Sequence, residues 1–140
     1  MPANQLAVEH LFTITVSTQQ VAVLQDAPQG TRVHVRVTGG TFEGAKLRGI
    51  VEDGGGDWVT VRPDGSIKLD VRVTLKTDDG AYILATYSGV GTSSHEGLAL
   101  RTAPLFETGD ERYRWLNNVQ AVGIGQAGKN SVSYDVYALK

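Results

Sequence analysis

The stretch Gly54–Arg72, "GGGDWVTVRPDGSIKLDVR", decides how the chain is read. It opens on three glycines, runs through "DWVTV", turns at Asp64-Gly65 and returns through "IKLDVR". Asp-Gly between alternating apolar residues is the preferred dipeptide of a two-residue type I′ hairpin. On that turn Pro63 faces Ser66, Trp58 faces Val71 and Asp57 faces Arg72. Just downstream, "LKTDDGAYILATYSG" reads as a second hairpin over a three-residue loop ending in Gly80. It sets Lys76 opposite Tyr82 and Arg72 opposite Thr86. Cross-strand partners share a face. One face therefore holds Ile67, Leu69, Val71, Val73 and Leu75 with Trp58, Ile83, Ala85 and Tyr87, which is a core. The other holds Asp57, Asp70, Arg72 and Thr74 with Tyr82, Leu84 and Thr86, where charges mix with ring and methyl groups. Such a face is either a solvated ion pair, worth little in stability, or the lining of a barrel wide enough for a small ligand.

The same alternation extends in both directions. "LFTITVST" puts Phe12, Ile14 and Val16 on one side and Thr13, Thr15 and Ser17 on the other. "TRVHVRVTGG" sets Val33, Val35 and Val37 against Arg32, His34 and Arg36. "AKLRGIVEDGGG" is a further strand, and "NVQAVGIG" and "SVSYDVYALK" complete the set. Residues 91–97, "GTSSHEG", read as a polar loop. "TGDERYRWLN" is the one short helical segment, with Thr108 or Asp110 as its cap. Seven to nine short strands joined by turns drawn from 17 glycines indicate an all-β, antiparallel barrel or sandwich.

The totals narrow the function. At 140 residues the chain is expected to form one domain, 1–140. It has no cysteine, which excludes disulfides, thiolate nucleophiles and cysteine-held metals. Thirteen Lys and Arg against fifteen Asp and Glu give a net charge of −2, so no basic excess is available for nucleic acid. No stretch approaches the ~20 apolar residues of a membrane-spanning helix, and "MPANQLAVEHLF" does not have the form of a signal peptide. A cytoplasmic location is the expectation, with neither membrane nor nucleic acid as partner.

Three motifs are decoys. "GIGQAGKN", 123–130, matches G-x-G-x-x-G, but the next residues, "SVSYDVYAL", alternate like a strand and offer no helix N-terminus to a phosphate. "SSHEG" places Ser93, Ser94, His95 and Glu96 side by side, whereas a Ser–His couple is a matter of spatial placement. His10, His34 and His95 lack metal-ligand spacing.

Five stretches in order, "GGTFEGAKLRG", "GGGDWVTVRPDGSIKLDVR", "LKTDDGAYI", "PLFETGDERYRWLNNV" and "YDVYAL", resemble the family known as domain of unknown function 3237. With the first two strands the resemblance covers nearly the whole chain. It implies a small closed or nearly closed β-barrel of the lipocalin or allene-oxide-cyclase kind. It also implies that Asp57, Trp58, Asp64, Gly65, Asp70, Arg72, Phe106, Glu107, Trp115, Leu116 and Asn117 are signature residues. Members often carry a basic residue after the glycine of "YSGV", where this chain has Val90. Turn chemistry and packing explain Gly65 and Leu116. They do not explain Asp57, Asp70, Arg72, Glu107 and Asn117, so the resemblance favours a functional lining.

The expectation is a cofactor-independent enzyme doing acid/base chemistry, as an isomerase, cyclase or lyase/hydratase, on a small organic molecule held in the barrel. Neither a metal nor a cofactor is called for. Asp57 or Asp70 serves as general base if burial raises its pKa. Arg72 holds a carboxylate or enolate oxygen, and Tyr82 and Asn117 donate to the same oxygen. Trp58 and Trp115 cover an apolar substrate, and Glu107 is a further substrate-binding candidate; the expected ligand is a small anionic or aromatic organic molecule. The alternative is a non-catalytic small-molecule binding protein with the same lining. A homo-oligomer, dimer or higher, is also expected, because the mixed Arg, His and Val sheet of residues 32–37 suits an interface.

Overall fold

The computed structural model describes residues 2–140. Ten strands form one antiparallel sheet: β1 (Val8–Ala27), β2 (Gly30–Glu43), β3 (Arg48–Val51), β4 (Gly56–Val61), β5 (Ile67–Thr77), β6 (Tyr82–Ser94), β7 (Gly97–Thr102), β8 (Leu105–Glu107), β9 (Ala121–Gly128) and β10 (Ser131–Leu139). The order β5-β4-β2-β1-β10-β9-β7-β6 returns to β5, so eight strands close a ring. β3 fits below β4, paired to β2 through Gly40–Glu43 and to β5 through Leu75–Thr77. β8 fits below β7, paired to β6 through Leu84–Thr86. The expected barrel is therefore the observed one, and the helical segment is a single 3-10 turn, Arg114–Asn118.

Alternation sorted the faces of β1 and β5 correctly. Phe12, Ile14 and Val16 of β1 are buried while Thr13, Thr15 and Ser17 face out. Leu69, Val71, Val73 and Leu75 of β5 are buried along the same inner wall. The "GTSSHEG" segment is not a loop: β6 and β7 continue as a hairpin until Ser94 pairs with Gly97. "GIGQAGKN" is the end of β9 and the hairpin turn Lys129-Asn130 that leads into β10, with Asn130 at φ 62.

One turn departs from expectation, and it moves a strand. Arg62 N–H donates to Ser66 O (2.8 Å) and Gly65 N–H to Arg62 O (2.9 Å). The loop is thus three residues, Pro63-Asp64-Gly65, with Gly65 in the left-handed region at φ 84. Asp64 Oδ1 fastens it by accepting Ser66 N–H at 3.0 Å. The register shifts by one residue: Asp57 pairs with Val71, and Gly56 with Arg72. A slip of one residue turns every side chain of a strand to the other face. Asp57 therefore points inward beside Val71, and Trp58 points outward, 43% exposed. The second hairpin has the expected register, with Arg72 opposite Thr86 and Lys76 opposite Tyr82.

The barrel has two unlike ends. Around β3, β8 and the 3-10 turn it is solid: Phe12 packs edge-on against Phe42 (ring centroids 5.5 Å) and Phe106 (5.9 Å). Leu75, Ile83 and Leu116 there have 0% exposure. At the other end the inward residues are mostly valines, and they leave a space.

Candidate functional site

That space is a cup of about 340 Å3. Valines from five strands form its wall: Val16 of β1, Val33, Val35 and Val37 of β2, Val59 and Val61 of β4, Val71 of β5 and Val132 of β10. Valine is favoured on a pleated, half-buried surface, and it is too short to meet a neighbour across the ring. Thr18, Gln20 and Asn130 add polar groups to the lining. Asp57, Tyr87 and Tyr134 also line the cup, and the two tyrosines border the packed end below it.

The three residues come together by register. Asp57 pairs with Val71 and Val71 with Tyr87, which puts Asp57 and Tyr87 in one row on the inner wall. Tyr134 reaches in from β10 and meets the Tyr87 ring edge-on, at 5.5 Å and 76°. Gly125, paired with Tyr134, gives the phenol ring its room: a Cβ at Gly125 would sit 2.2 Å from Tyr134 Cδ1.

Asp57 also bridges an interruption in the sheet. The β4–β5 ladder pairs at Asp57–Val71 and again at Thr60–Lys68. Between these pairs, Asp70 N–H donates to Asp57 Oδ1 at 3.0 Å. Burial among the valines disfavours the charged carboxylate and raises its pKa from 3.8 to about 6, against the lowering effect of the Asp70 N–H. Burial also pushes the Tyr87 and Tyr134 phenols above their usual range, and the nearby Asp57 charge adds to the effect in both. The floor of the cup therefore holds one carboxyl group that titrates near neutrality and two phenols that stay protonated. Among the described residues, no Lys, Arg or His lines it.

The remaining expected site residues lie elsewhere. Asp70, Arg72 and Tyr82 are exposed on the outer face. Trp58, expected on the core face, stacks on His34 outside the barrel (5.2 Å, 13°). With Arg32, Thr60, Arg62, Lys68 and Asp70 it lines an outer groove of about 510 Å3. Arg72 does not face Asp57, because the three-residue turn places Asp57 opposite Val71. Glu107, Trp115 and Asn117 sit at the solid end of the barrel. Asn117 pins the 3-10 turn to the residue that follows β8, its Oδ1 accepting Thr108 N–H (2.8 Å) and its Nδ2 donating to Thr108 O (2.9 Å). Trp115 lies under the Lys46 ammonium at 5.3 Å, and Glu107 is exposed. Ser94 donates to Gly97 O within its own turn, which leaves no Ser–His couple with His95. Among the described residues there is no cluster of three metal-ligating side chains.

Tyr134 and the cup-lining role of Tyr87 were missed by sequence reasoning. The signal was present: in "ATYSG" and "SVSYDVYAL" each tyrosine occupies an inward position of its alternation. A hydroxyl-tipped ring on a core face is readily taken for packing alone.

An antiparallel ring of eight strands, solid at one end and hollow at the other with an acidic floor, defines a small ligand-sized β-barrel. The chain belongs to the family described as protein of unknown function (DUF3237), whose profile matches residues 6–139. A UPF0311 protein of Clostridium acetobutylicum is 30% identical to it over 130 residues, covering 82% of each chain. The crystal structure of a β-barrel like protein from Acinetobacter baumannii superimposes with a TM-score of 0.88 at 30% identity, covering 99% of both chains. A Penicillium herquei protein named hydroalkoxylation enzyme phnH is 33% identical over 116 residues, covering 82% of this chain and 71% of that one. The crystal structure of an enzyme from the same fungus matches with a TM-score of 0.79 at 27% identity, over 100% of this chain and 98% of the other.

Proposed function

We propose that this protein is an enzyme that transfers a proton within a small, neutral organic molecule held in the valine cup, with Asp57 as the acid/base group. The observation that carries the reading is the placement of Asp57: one carboxyl group in an apolar cavity, raised to about pKa 6, beside two neutral phenols. Such a group is present in both protonation states near neutral pH, which general acid–base catalysis requires. A carrier that only encloses an apolar ligand has no use for a carboxylate destabilised by burial. The cup holds no cation, so an anionic ligand would meet the Asp57 charge unopposed; a neutral ligand fits.

The chemistry is an addition, elimination or isomerisation that begins and ends with a proton on Asp57. In the addition of an O–H group across a C=C bond, which the name of the fungal relative describes, the Asp57 carboxyl proton goes to one alkene carbon. The substrate hydroxyl oxygen bonds to the other alkene carbon, and the hydroxyl proton returns to the carboxylate. Tyr87 and Tyr134 donate hydrogen bonds to the oxygen that carries developing charge.

The test is turnover of neutral alkenyl phenols, enones, lactones and epoxides by the purified protein. Conversion of at least one, lost in Asp57→Asn and governed by a group titrating near pH 6, supports the proposal. Tight binding across the panel with no turnover would leave a non-catalytic carrier.

A further inference from the structure

The barrel wall is incomplete along one strand. β10 runs beside β1 from Val8 to Ser17, and the last bond between them is Thr18 N–H to Asn130 O at 3.0 Å. β1 then continues to Ala27, paired on one side only, with β2. Among the described residues, nothing pairs with its other edge from Gln19 onward. An unpaired edge presents a row of free N–H and C=O groups, and natural sheets usually protect it with lysine, proline or a covering element. Here the segment "QQVAVLQ", Gln19–Gln25, contains no charge and no proline. It exposes Val21 (54%), Val23 (43%) and Leu24 (54%).

We infer that this edge pairs antiparallel with the same edge of a second copy of the chain, about a twofold axis. The free backbone groups are the first argument: an identical strand running the opposite way supplies an acceptor for each donor. Charge is the second. A twofold axis brings the same short segment opposite itself, so a charge near the axis would meet its own kind. Gln19–Gln25 carries none, although the chain as a whole is one-fifth charged residues. Thr18 and Gln20 of the same strand line the cup, so the second copy's strand runs along the open side of the cavity and completes its wall. The inference does not depend on the chemistry of Asp57.

The experiment is molar mass by light scattering and sedimentation over a wide concentration range, for the full chain and for Val23→Lys. The wild type should have twice the mass of one chain. Val23→Lys should halve that mass and leave the far-ultraviolet dichroism unchanged, since it places two like charges across the axis. If Val23→Lys does not fold, Val21→Lys, exposed on the same edge and equally close to the middle of the segment, decides by the same readout. A wild type monomeric throughout, or a dimer indifferent to the folded lysine variant, overturns the inference.

Discussion

The solid and hollow ends of the barrel are built from the same long strands and differ in what those strands carry inward. β1 supplies Phe12 at one end and Val16 at the other, and β2 supplies Phe42 and Val35. Phenylalanines spaced around a ring of eight strands meet at the axis, whereas valines stop short of it. The packed end resembles any core, where volume is filled and lost methylenes are felt. The cup is open space by side-chain choice, and the backbone contributes, since β3 and β8 add to the packed end alone and β10 pairs with β1 only as far as Ser17. Stability is thus concentrated at one end, and the other is free to hold a group that a core would reject.

The sharpest way to break this comparison is to truncate one residue at each end. Phe42→Ala should cost ~3–5 kcal/mol, because it removes a ring that is 2% exposed and leaves a void. Val35→Ala, on the wall of the cup, should cost only ~1 kcal/mol, since it enlarges a space that already exists. Chemical denaturation of both variants gives the numbers; equal losses would mean that the two ends are not distinct.

Asp57 tests the hollow end by pH. Its folded-state pKa lies above the ordinary carboxylate value, so the folded protein holds this proton more tightly than the unfolded chain does. Stability from the group is fully present below about pH 4 and is lost as pH rises through about 6. Asp57→Asn keeps an oxygen for the Asp70 N–H and removes the buried charge. It should be more stable than wild type at pH 8, by at most about 3 kcal/mol, with the gap closing on acidification. The difference between the two proteins isolates Asp57 from Asp110, which is lowered to about 2 by its hydrogen bonds to Arg112. A gap that does not change with pH would place the carboxylate in solvent, and one that widens on acidification would mean that the fold stabilises its charged form.

The smallest effect is expected outside the barrel. Arg72 makes no ion pair among the described residues, and Arg72→Ala should change stability by less than about 0.5 kcal/mol. It should also leave binding to the cup unchanged. Loss of ligand binding in that variant would mean that the outer face takes part after all.

Much of the fold was legible, because alternation reports burial directly. Phe12, Ile14 and Val16, or Leu69 through Leu75, declare an inner face whatever the turns do. The site was harder, because a side chain's face relative to its neighbour strand depends on loop length. The two Asp-Gly turns show this. At Asp78–Gly80 the three-residue loop was recognised and every partner came out in register. At Asp64-Gly65 the dipeptide suggested two residues, and Asp57 and Trp58 exchanged faces. Pro63 held the correction: in a two-residue hairpin it would have to donate an N–H to Ser66, and proline has none. Arg62 makes that bond instead. The grouping of Asp57 with Tyr134 was beyond any such count, because it spans the ring between strands that are distant in sequence.

The pairing of β1 with β10 has a kinetic side. Val8 lies opposite Leu139, and Lys140 N–H reaches Ala7 O at 3.0 Å, so the ring is closed by its first and last strands. A ribosome releases β1 well before β10. Until β10 emerges, one edge of β1 has no neighbour, and the valine cup is a curved sheet without its last wall. Closing it draws together the two most widely separated segments of the chain before any of their bonds can form, the kind of contact that slows folding. The hairpins β4–β5 and β5–β6, each closed by a three-residue turn, are the local structure expected to form first, with ring closure as the late and slower step.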